Sequence, residues 1–178
     1  MRAFQLIIGL AALSATAAFA QSQSQSAGTS ALKGHDSNAP VDVSADRIEV
    51  QDRADRAIFA GNVHVKQNEL SLDTQRLTVA YSNNGGVQIQ RLDAAGGVIV
   101  TSPSEKAKGN FGIYDLDRKL ITLIGNVQLN RGANQIFGQR LTIDLATGRA
   151  VVDGGPAGVN QSGGRVTGHF TVPKRNGN

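Results

Sequence analysis

Two short motifs occur twice in this chain at one common spacing. Gly61-Asn62-Val63 recurs at residues 125–127, and Gln75-Arg76-Leu77-Thr78 recurs at residues 139–142, so each second copy lies 64 residues after the first. A shared offset for two separate motifs indicates that the chain is built from a duplicated β unit. The fold must therefore accommodate two successive copies of one shape.

Weaker copies divide this unit further. Small residues, mainly glycine, recur near positions 61, 96, 125 and 154. A second series alternates with them and opens strand-like runs, and it consists of Asp46, Gln75, Asn110, Gln139 and His169. The basic unit is therefore about 29 to 35 residues long, a length typical of solenoids and stacked-strand folds.

The two ends of the chain differ in composition from the middle. Residues 1–20 carry one early cation, an apolar run and an Ala-Phe-Ala ending, which is typical of a cleavable secretory signal peptide. Residues 21–39 are rich in Ser, Gln and Gly and are predicted to be a disordered lead. One β domain is expected over residues 40–155, followed by a Gly-rich segment, residues 156–178, with room for one last short strand.

The composition excludes several classes of protein. The chain has 18 basic and 14 acidic side chains, a formal net charge of +4, and its cations are spread out rather than clustered. A surplus this small and dispersed does not indicate nucleic acid binding. The chain contains no cysteine, so disulfide bonds and thiol catalysis are both excluded.

The pattern between residues 40 and 155 is that of an all-β protein. Val, Ile and Thr are frequent, and no segment keeps apolar residues at helical spacing over three turns. Apolar and polar residues alternate instead, for example around Leu77, Val79 and Tyr81. One face of each strand is therefore expected to be apolar and the other polar.

The Gly-Asn pairs could form two-residue hairpin turns or lie within continuous strands. A hairpin at residues 125–126 would create a mixed face, whereas a continuous strand places Leu123, Val127 and Leu129 on one side. The continuous strand is favoured, because a slip of one residue would turn the whole apolar set outward.

The alternation changes phase at the same place in both copies. Apolar positions switch from even to odd numbers between Leu72 and Leu77, and again between Ile136 and Leu141. A bulge or bend at residues 73–76, with a counterpart in the second copy, would carry the chain from one sheet to another. Few aromatic rings are available to fill the interior, so the residues alone allow either a filled core or an open groove for an apolar guest.

No catalytic constellation is present in the sequence. Nucleophile-elbow, phosphate-loop and dinucleotide-binding motifs are missing, as is a His-Glu-x-x-His metal motif. The three histidines, His35, His64 and His169, do not have the spacing of a metal site. The sequence therefore predicts a protein that is not an enzyme and has no cofactor or metal.

Several of these elements occur together in one known family. The signal peptide, the Pro-Val-Asp-Val-Ser-Ala-Asp opening at residues 40–46, and the Gly-Asn-Val strands followed by Gln-Arg-Leu-Thr strands resemble the LptA/OstA family of lipopolysaccharide-transport proteins. The resemblance covers residues 40–155 and implies a twisted, slightly open β jelly roll. It also implies a periplasmic protein of Gram-negative bacteria that carries lipopolysaccharide with its acyl chains in an apolar groove.

Members of this family join end to end into a bridge from the inner to the outer membrane. The resemblance therefore implies three kinds of partner: lipopolysaccharide, the inner- and outer-membrane components of the transport system, and further copies of the chain. An exposed edge strand can add to the sheet of a neighbouring molecule. The first strand, near residues 41–50, and the last ordered strands are the expected contact edges.

The apolar positions of the alternating strands are the predicted lipid groove. The resemblance matches five of them to lipid contacts, namely Val41, Val43, Val100, Tyr114 and Leu116. Phe111 and Ile113 alternate with the opposite parity to Tyr114. The complete predicted groove is Val41, Val43, Ile48, Val50, Phe59, Val63, Val65, Leu77, Val79, Tyr81, Val98, Val100, Tyr114, Leu116, Leu123, Val127, Leu129, Leu141 and Ile143.

The sequence leaves two other functions open. The first is the bitopic inner-membrane component of the same transport system, which shares the β fold but keeps its N-terminal helix. The second is a structural or adhesive β-repeat domain with a filled core and no lipid ligand.

Overall fold

The computed structural model describes Leu32 and residues 35–83, 85–155 and 164–172. The predicted signal peptide and most of the predicted lead lie outside these residues. Within the described ranges the chain forms ten β-strands and one turn of 3-10 helix at Asp52–Ala54. In chain order the strands are β1 (Asp42–Ser44), β2 (Arg47–Gln51), β3 (Arg56–Gln67), β4 (Leu70–Ser82), β5 (Gln88–Thr101), β6 (Glu105–Asp115), β7 (Leu120–Arg131), β8 (Asn134–Asp144), β9 (Arg149–Asp153) and β10 (Thr167–His169).

These strands form one antiparallel sheet that bends along a line across its middle. Strands β3 to β8 each pair with their neighbours in the sequence. Strands β1 and β2 both pair with β3, on opposite sides of the bend, and β9 and β10 share β8 in the same way. The bend thus separates a first half-sheet, which contains β2 and β9, from a second half-sheet, which contains β1 and β10.

The two half-sheets pack face to face around one apolar core. Buried residues from both halves belong to the same cluster, and the hydroxyl of Tyr114 in the first half reaches Gln67 in the second. Among the described strands, those at the two edges of the sheet do not pair with each other. The roll is therefore open rather than closed into a barrel.

Each bend in β3 and β7 coincides with a Gly-Asn pair in left-handed conformation. Gly61 and Asn62 have φ of +80° and +45°, and Gly125 and Asn126 have +81° and +48°. Glycine adopts this region freely, and asparagine tolerates it better than most residues. The ladder loses register at both pairs, so the strands turn a corner without ending.

The two residue series of the sequence meet at this bend. A Cβ added at Gly125 would lie 2.8 Å from Asn110 Nδ2, closer than real Cβ atoms approach. The amide of Asn62 also donates to Asp46 Oδ2 at 2.9 Å. The complete set of contacts pairs Gly61 with Asp46, Gly96 with Gln75, Gly125 with Asn110, and Gly155 with Gln139. The repeat is therefore the spacing between successive crossings of the bend.

The structure confirms the all-β fold and the continuous strands through the Gly-Asn pairs. Register is lost between Asp73 and Arg76, and also opposite residues 138–140, where the phase change predicts a bulge or bend. One aspect differs from the prediction. The chain does not cross between separate sheets, because a single hydrogen-bonded ladder continues around the bend.

The structure describes part of the lead and part of the C-terminal segment. Leu32 and Ser37 are buried against the roll, and His35 Nε2 lies 2.9 Å from Gln67 Oε1, although the sequence predicts disorder up to residue 39. At the other end, β10 lies where the sequence has room for one last short strand. Both ends of the described chain therefore contribute to the roll.

Replacing Gly125 by alanine should destabilise the protein more than the same change at Gly132. Both glycines have positive φ, but nothing lies within 4 Å of a Cβ added at Gly132, whereas Gly125 faces Asn110. We expect the free energy of unfolding to fall by about 2–3 kcal/mol for Gly125→Ala and by about 1 kcal/mol for Gly132→Ala. Urea denaturation measures both values, and equal losses would contradict a packing role for Gly125.

Candidate functional site

The inner face of the roll is lined by rows of side chains that cross every strand of a half-sheet. Directly opposed residues in an antiparallel ladder lie on the same face, so the register defines each row. One row of the first half-sheet is Ile48, Phe59, Leu77, Ala94, Gly112, Leu123, Leu141 and Val152. The next is Val50, Ala57, Val79, Leu92, Tyr114, Ile121, Ile143 and Ala150.

A matching row lines the second half-sheet. It consists of Val43, Val65, Leu72, Val100, Ala107, Leu129 and Ile136, and it ends at Gly168 of β10. These three rows are therefore apolar from the β1 and β2 edge to the β9 and β10 edge, except for the hydroxyl of Tyr114.

Burial along these rows falls from the centre to the edge. Leu77, Leu123 and Leu141 are fully buried, whereas Ile48 and Val50 on edge strand β2 each retain 56 % of their surface. The apolar lining therefore reaches an uncovered edge of the sheet.

The structure brings most of the predicted groove residues together. Twelve are buried in the common core, namely Val63, Val65, Leu77, Val79, Val98, Val100, Tyr114, Leu123, Val127, Leu129, Leu141 and Ile143. Val41, Val43, Phe59 and Leu116 are partly buried against it. Ile48 and Val50 lie in register with the inner rows but on the exposed edge strand, so they form the outer end of the apolar lining.

Tyr81 lies apart from this set. Its hydroxyl is 3.4 Å from Asp52 Oδ1 in the 3-10 turn, and the ladder shifts register between Ala80 and Tyr81. The alternation of β4 therefore does not extend to Tyr81, which lies half-buried at the rim of the roll.

The structure also shows which of the alternating residues of β6 face the interior. Tyr114 is buried, with only 4 % of its surface exposed, whereas Phe111 is more than half exposed. Phe111 directly follows the register loss between Lys108 and Phe111, so its apolar character does not mark the inner face. The resemblance-based position of Tyr114 on that face is the one the structure shows.

Several inner residues are absent from the predicted groove. Leu72, Leu92 and Ile121 are buried in the same rows, and the alternation around each gives a signal that could have found them. Gln67 is 2 % exposed and faces the interior, but a polar residue at an inner position has no such signal.

One part of the described interior is nearly filled by its own side chains. Where the two half-sheets approach near β3 and β6, the remaining cavity is about 20 Å³, lined by Val41, Val65, Gln67, Leu70, Leu72, Leu92 and Tyr114. This space holds about one water molecule. An apolar guest must therefore displace side chains or separate the half-sheets to enter here.

Most buried polar side chains lie on the open side of the roll, opposite the bend; the exception is Thr74, whose hydroxyl donates to the Ala95 oxygen at 2.8 Å at the bend. The Gln67 oxygen accepts a hydrogen bond from the Tyr114 hydroxyl at 3.0 Å. On the same side of the second half-sheet, Arg131 Nε donates to Glu105 Oε1 at 2.6 Å, and the Glu105 side chain is only 4 % exposed. The apolar rows thus end in a rim of hydrogen-bonded groups.

Other kinds of site find no support in the described part of the chain. Within it, no three His, Asp or Glu side chains lie close enough together to hold a metal ion. His64 is exposed and forms a pair with Asp73 at 2.7 Å. The same residues contain no helix long and apolar enough to cross a membrane.

The described residues thus form an all-β protein of the open jelly-roll class, with an apolar inner face. Residues 42–149 match the family described as LptA/(LptD N-terminal domain) LPS transport protein. The chain belongs to this family, whose members are transport proteins.

Two further proteins are similar to this chain, one in sequence and one in fold. The chain is 33 % identical over 152 residues to an uncharacterised protein of Rhizobium meliloti (strain 1021), a match that covers 80 % of this chain and 79 % of the relative. It also superimposes on LptH of Pseudomonas aeruginosa, the LptA-homologous periplasmic component of a lipopolysaccharide transport device, with a TM-score of 0.67. That match covers 78 % of this chain and 99 % of LptH at 18 % identity, and it shows the shared jelly-roll fold.

Replacing Arg131 by leucine should destabilise the protein, because Glu105 then loses its guanidinium partner while remaining buried. We expect a loss of about 2 kcal/mol, below the roughly 3–5 kcal/mol of a fully buried pair, because Arg131 is 37 % exposed. The double replacement with Glu105→Leu should recover most of this loss. Chemical denaturation measures it, and Arg91→Leu, which breaks the exposed pair with Asp93, should cost less than about 1 kcal/mol.

The stability of the roll should fall at alkaline pH because of Tyr114. Burial raises the pKa of this phenol, and nearby Asp36 raises it further. A pKa that is higher in the folded state adds stability that is complete below the unfolded pKa, about 10, and is lost as the pH rises through the folded pKa. In a Tyr81→Phe background Tyr114 is the single tyrosine, so absorbance follows its ionisation directly. An unfolding free energy whose alkaline decline is unchanged by Tyr114→Phe would contradict this assignment.

Proposed function

We propose that this protein binds lipopolysaccharide in the periplasm and carries it as one module of a bridge from the inner to the outer membrane. The observation that carries the proposal is the apolar lining, which runs without interruption across an open roll from one edge to the other. Membership of a lipopolysaccharide-transport family supports the choice of lipid.

The lining suits acyl chains because it is apolar and extended. Each buried methylene contributes about 0.8 kcal/mol of transfer free energy without demanding a fixed geometry, so a chain can slide along the rows at little net cost. The half-sheets are joined by strands at the glycine bend and otherwise contact each other mainly through apolar side chains. Separation opposite the bend therefore opens the interior while the hydrogen-bonded ladder stays intact.

The edges of the roll provide the means of assembly. Strands β1 and β2 at one edge and β9 and β10 at the other have unpaired sides within the described sheet, and these can accept a strand from another molecule. Exposed Ile48 and Val50 lie at the first edge. A second copy added there would extend the lining as well as the ladder, which fits end-to-end self-association and docking to membrane components of the transport system.

In this function the protein makes and breaks no covalent bond. Lipid moves by exchange between apolar surfaces, and the energy for transport comes from elsewhere in the system. Export through a cleaved signal peptide distinguishes this function from the bitopic inner-membrane alternative, because mass spectrometry of the exported chain would find residues 1–20 absent in the first case and retained in the second.

A photo-crosslinking residue at Val100 should capture lipopolysaccharide in cells, because Val100 lies within an inner row. The same residue at neighbouring Thr101, which faces the outer side of that strand, is the matched control and should capture several-fold less. Immunoblotting for lipopolysaccharide adducts measures both. Equal or absent capture at Val100 would favour the structural β domain with a filled core.

A further inference from the structure

We propose that Leu32 and residues 35–41, here called the N-terminal strap, form a gate that closes the open side of the roll and yields to an incoming acyl chain. This inference rests on the proposed lipid-carrying function and adds a control element to it. Without lipid, the strap fills the opening between the two half-sheets on the open side of the roll. An incoming acyl chain would take its place.

Gln67 is the latch that holds the strap. Its amide nitrogen donates to the backbone oxygens of Ser37 at 3.2 Å and Ala39 at 2.9 Å. Its oxygen lies 2.9 Å from His35 Nε2 and accepts from the Tyr114 hydroxyl at 3.0 Å. A buried side-chain amide is thus saturated by hydrogen bonds, three of them to the strap.

The strap is positioned between the free ends of both half-sheets. Gln67 is the last residue of β3, in the second half-sheet, and Tyr114 is the penultimate residue of β6, in the first. The His35 ring also tilts onto the ring of Tyr114, with centroids 6.5 Å apart. The strap therefore ties together two surfaces that must separate for a guest to enter.

The strap borders a cleft of about 570 Å³. Strap residues 37–41 line it together with residues 87–90 and residues 116, 117 and 119. The strap therefore has space next to it into which it can move. Next to Gln67 and Tyr114, the cavity of about 20 Å³ leaves no room for an acyl chain while the strap is in place.

The strap resembles a lipid in what it presents to the roll. Leu32 supplies a buried aliphatic side chain, and the carbonyl oxygens of residues 37 and 39 accept hydrogen bonds from the latch. An acyl chain attached through an ester or amide offers the same pair of features, an aliphatic body and a carbonyl acceptor. Exchange of one for the other leaves Gln67 and Tyr114 hydrogen-bonded, which avoids the cost of a buried polar group without a partner.

Loosening the latch should raise affinity for an acyl probe. Gln67→Leu removes three hydrogen bonds to the strap, against the one that an acyl carbonyl can accept, and keeps an apolar side chain in the wall. Because the strap loses more than the ligand does, we expect a fluorescent long-chain fatty acid to bind about tenfold more tightly. Gln128→Leu is the matched control, since the Gln128 amide lies on the outer face of β7, away from the strap, and donates to Asn130 on the same strand. It should leave probe affinity unchanged. Leu32→Asn, which weakens the strap from its own side, replaces Gln67→Leu if that variant does not fold.

Strap movement can be followed independently of affinity. The chain has no cysteine, so Asn38→Cys on the exposed side of the strap can carry a single nitroxide label. Spin-label mobility should be low in the free protein and should rise in Gln67→Leu and on saturation with fatty acid. Tighter probe binding together with a mobile strap supports the gate.

Two results would overturn it in distinguishable ways. Probe binding that saturates while the label stays immobile, or affinity that is unchanged although the strap is released, rejects the gate and leaves lipid binding intact. No probe binding in the wild type or in any variant rejects the proposed function, and the gate falls with it.

Discussion

The contact between a glycine on one strand and a polar side chain on its neighbour is the constraint on which the roll depends. At Gly61 and Gly125 the chain needs left-handed backbone and leaves no space for a Cβ, because Asp46 and Asn110 occupy it. The same contact recurs along the bend. Six long strands can therefore turn together while remaining hydrogen-bonded to one another, and this allows one sheet to form both walls of an interior.

Much of this architecture could be predicted from the sequence because it follows a period. The duplicated motifs, the alternation and the phase change locate the strands and the bend, and most alternating apolar positions are buried. Alternation does not distinguish the centre of a sheet from its edge. The exposure of Ile48 and Val50 on edge strand β2 could therefore not be predicted from it. It also fails next to a bulge, where Phe111 turns outward and Tyr114 inward.

The features that could not be predicted are polar contacts between residues distant in sequence. Gln67 is an unremarkable polar residue until His35 and the carbonyl oxygens of residues 37 and 39 are placed beside it. The pair of buried Glu105 and partly exposed Arg131 likewise forms across two adjacent strands at their ends. No local pattern encodes such contacts. They lie on the open side of the roll, where apolar repetition gives way to individual hydrogen bonds.

Strand order has a consequence for how the chain reaches this structure. From β3 to β8 every strand pairs with the one that precedes it, so each hairpin can form as soon as its two strands are available. Local pairing lowers the entropy lost in loop closure and favours rapid folding. Growth of the sheet is then stepwise and directional, as in repeat proteins. A chain that emerges gradually from its N-terminus can fold in the same order in which it appears, because among the described strands only β1 and β10 pair with a strand that is not their neighbour in sequence.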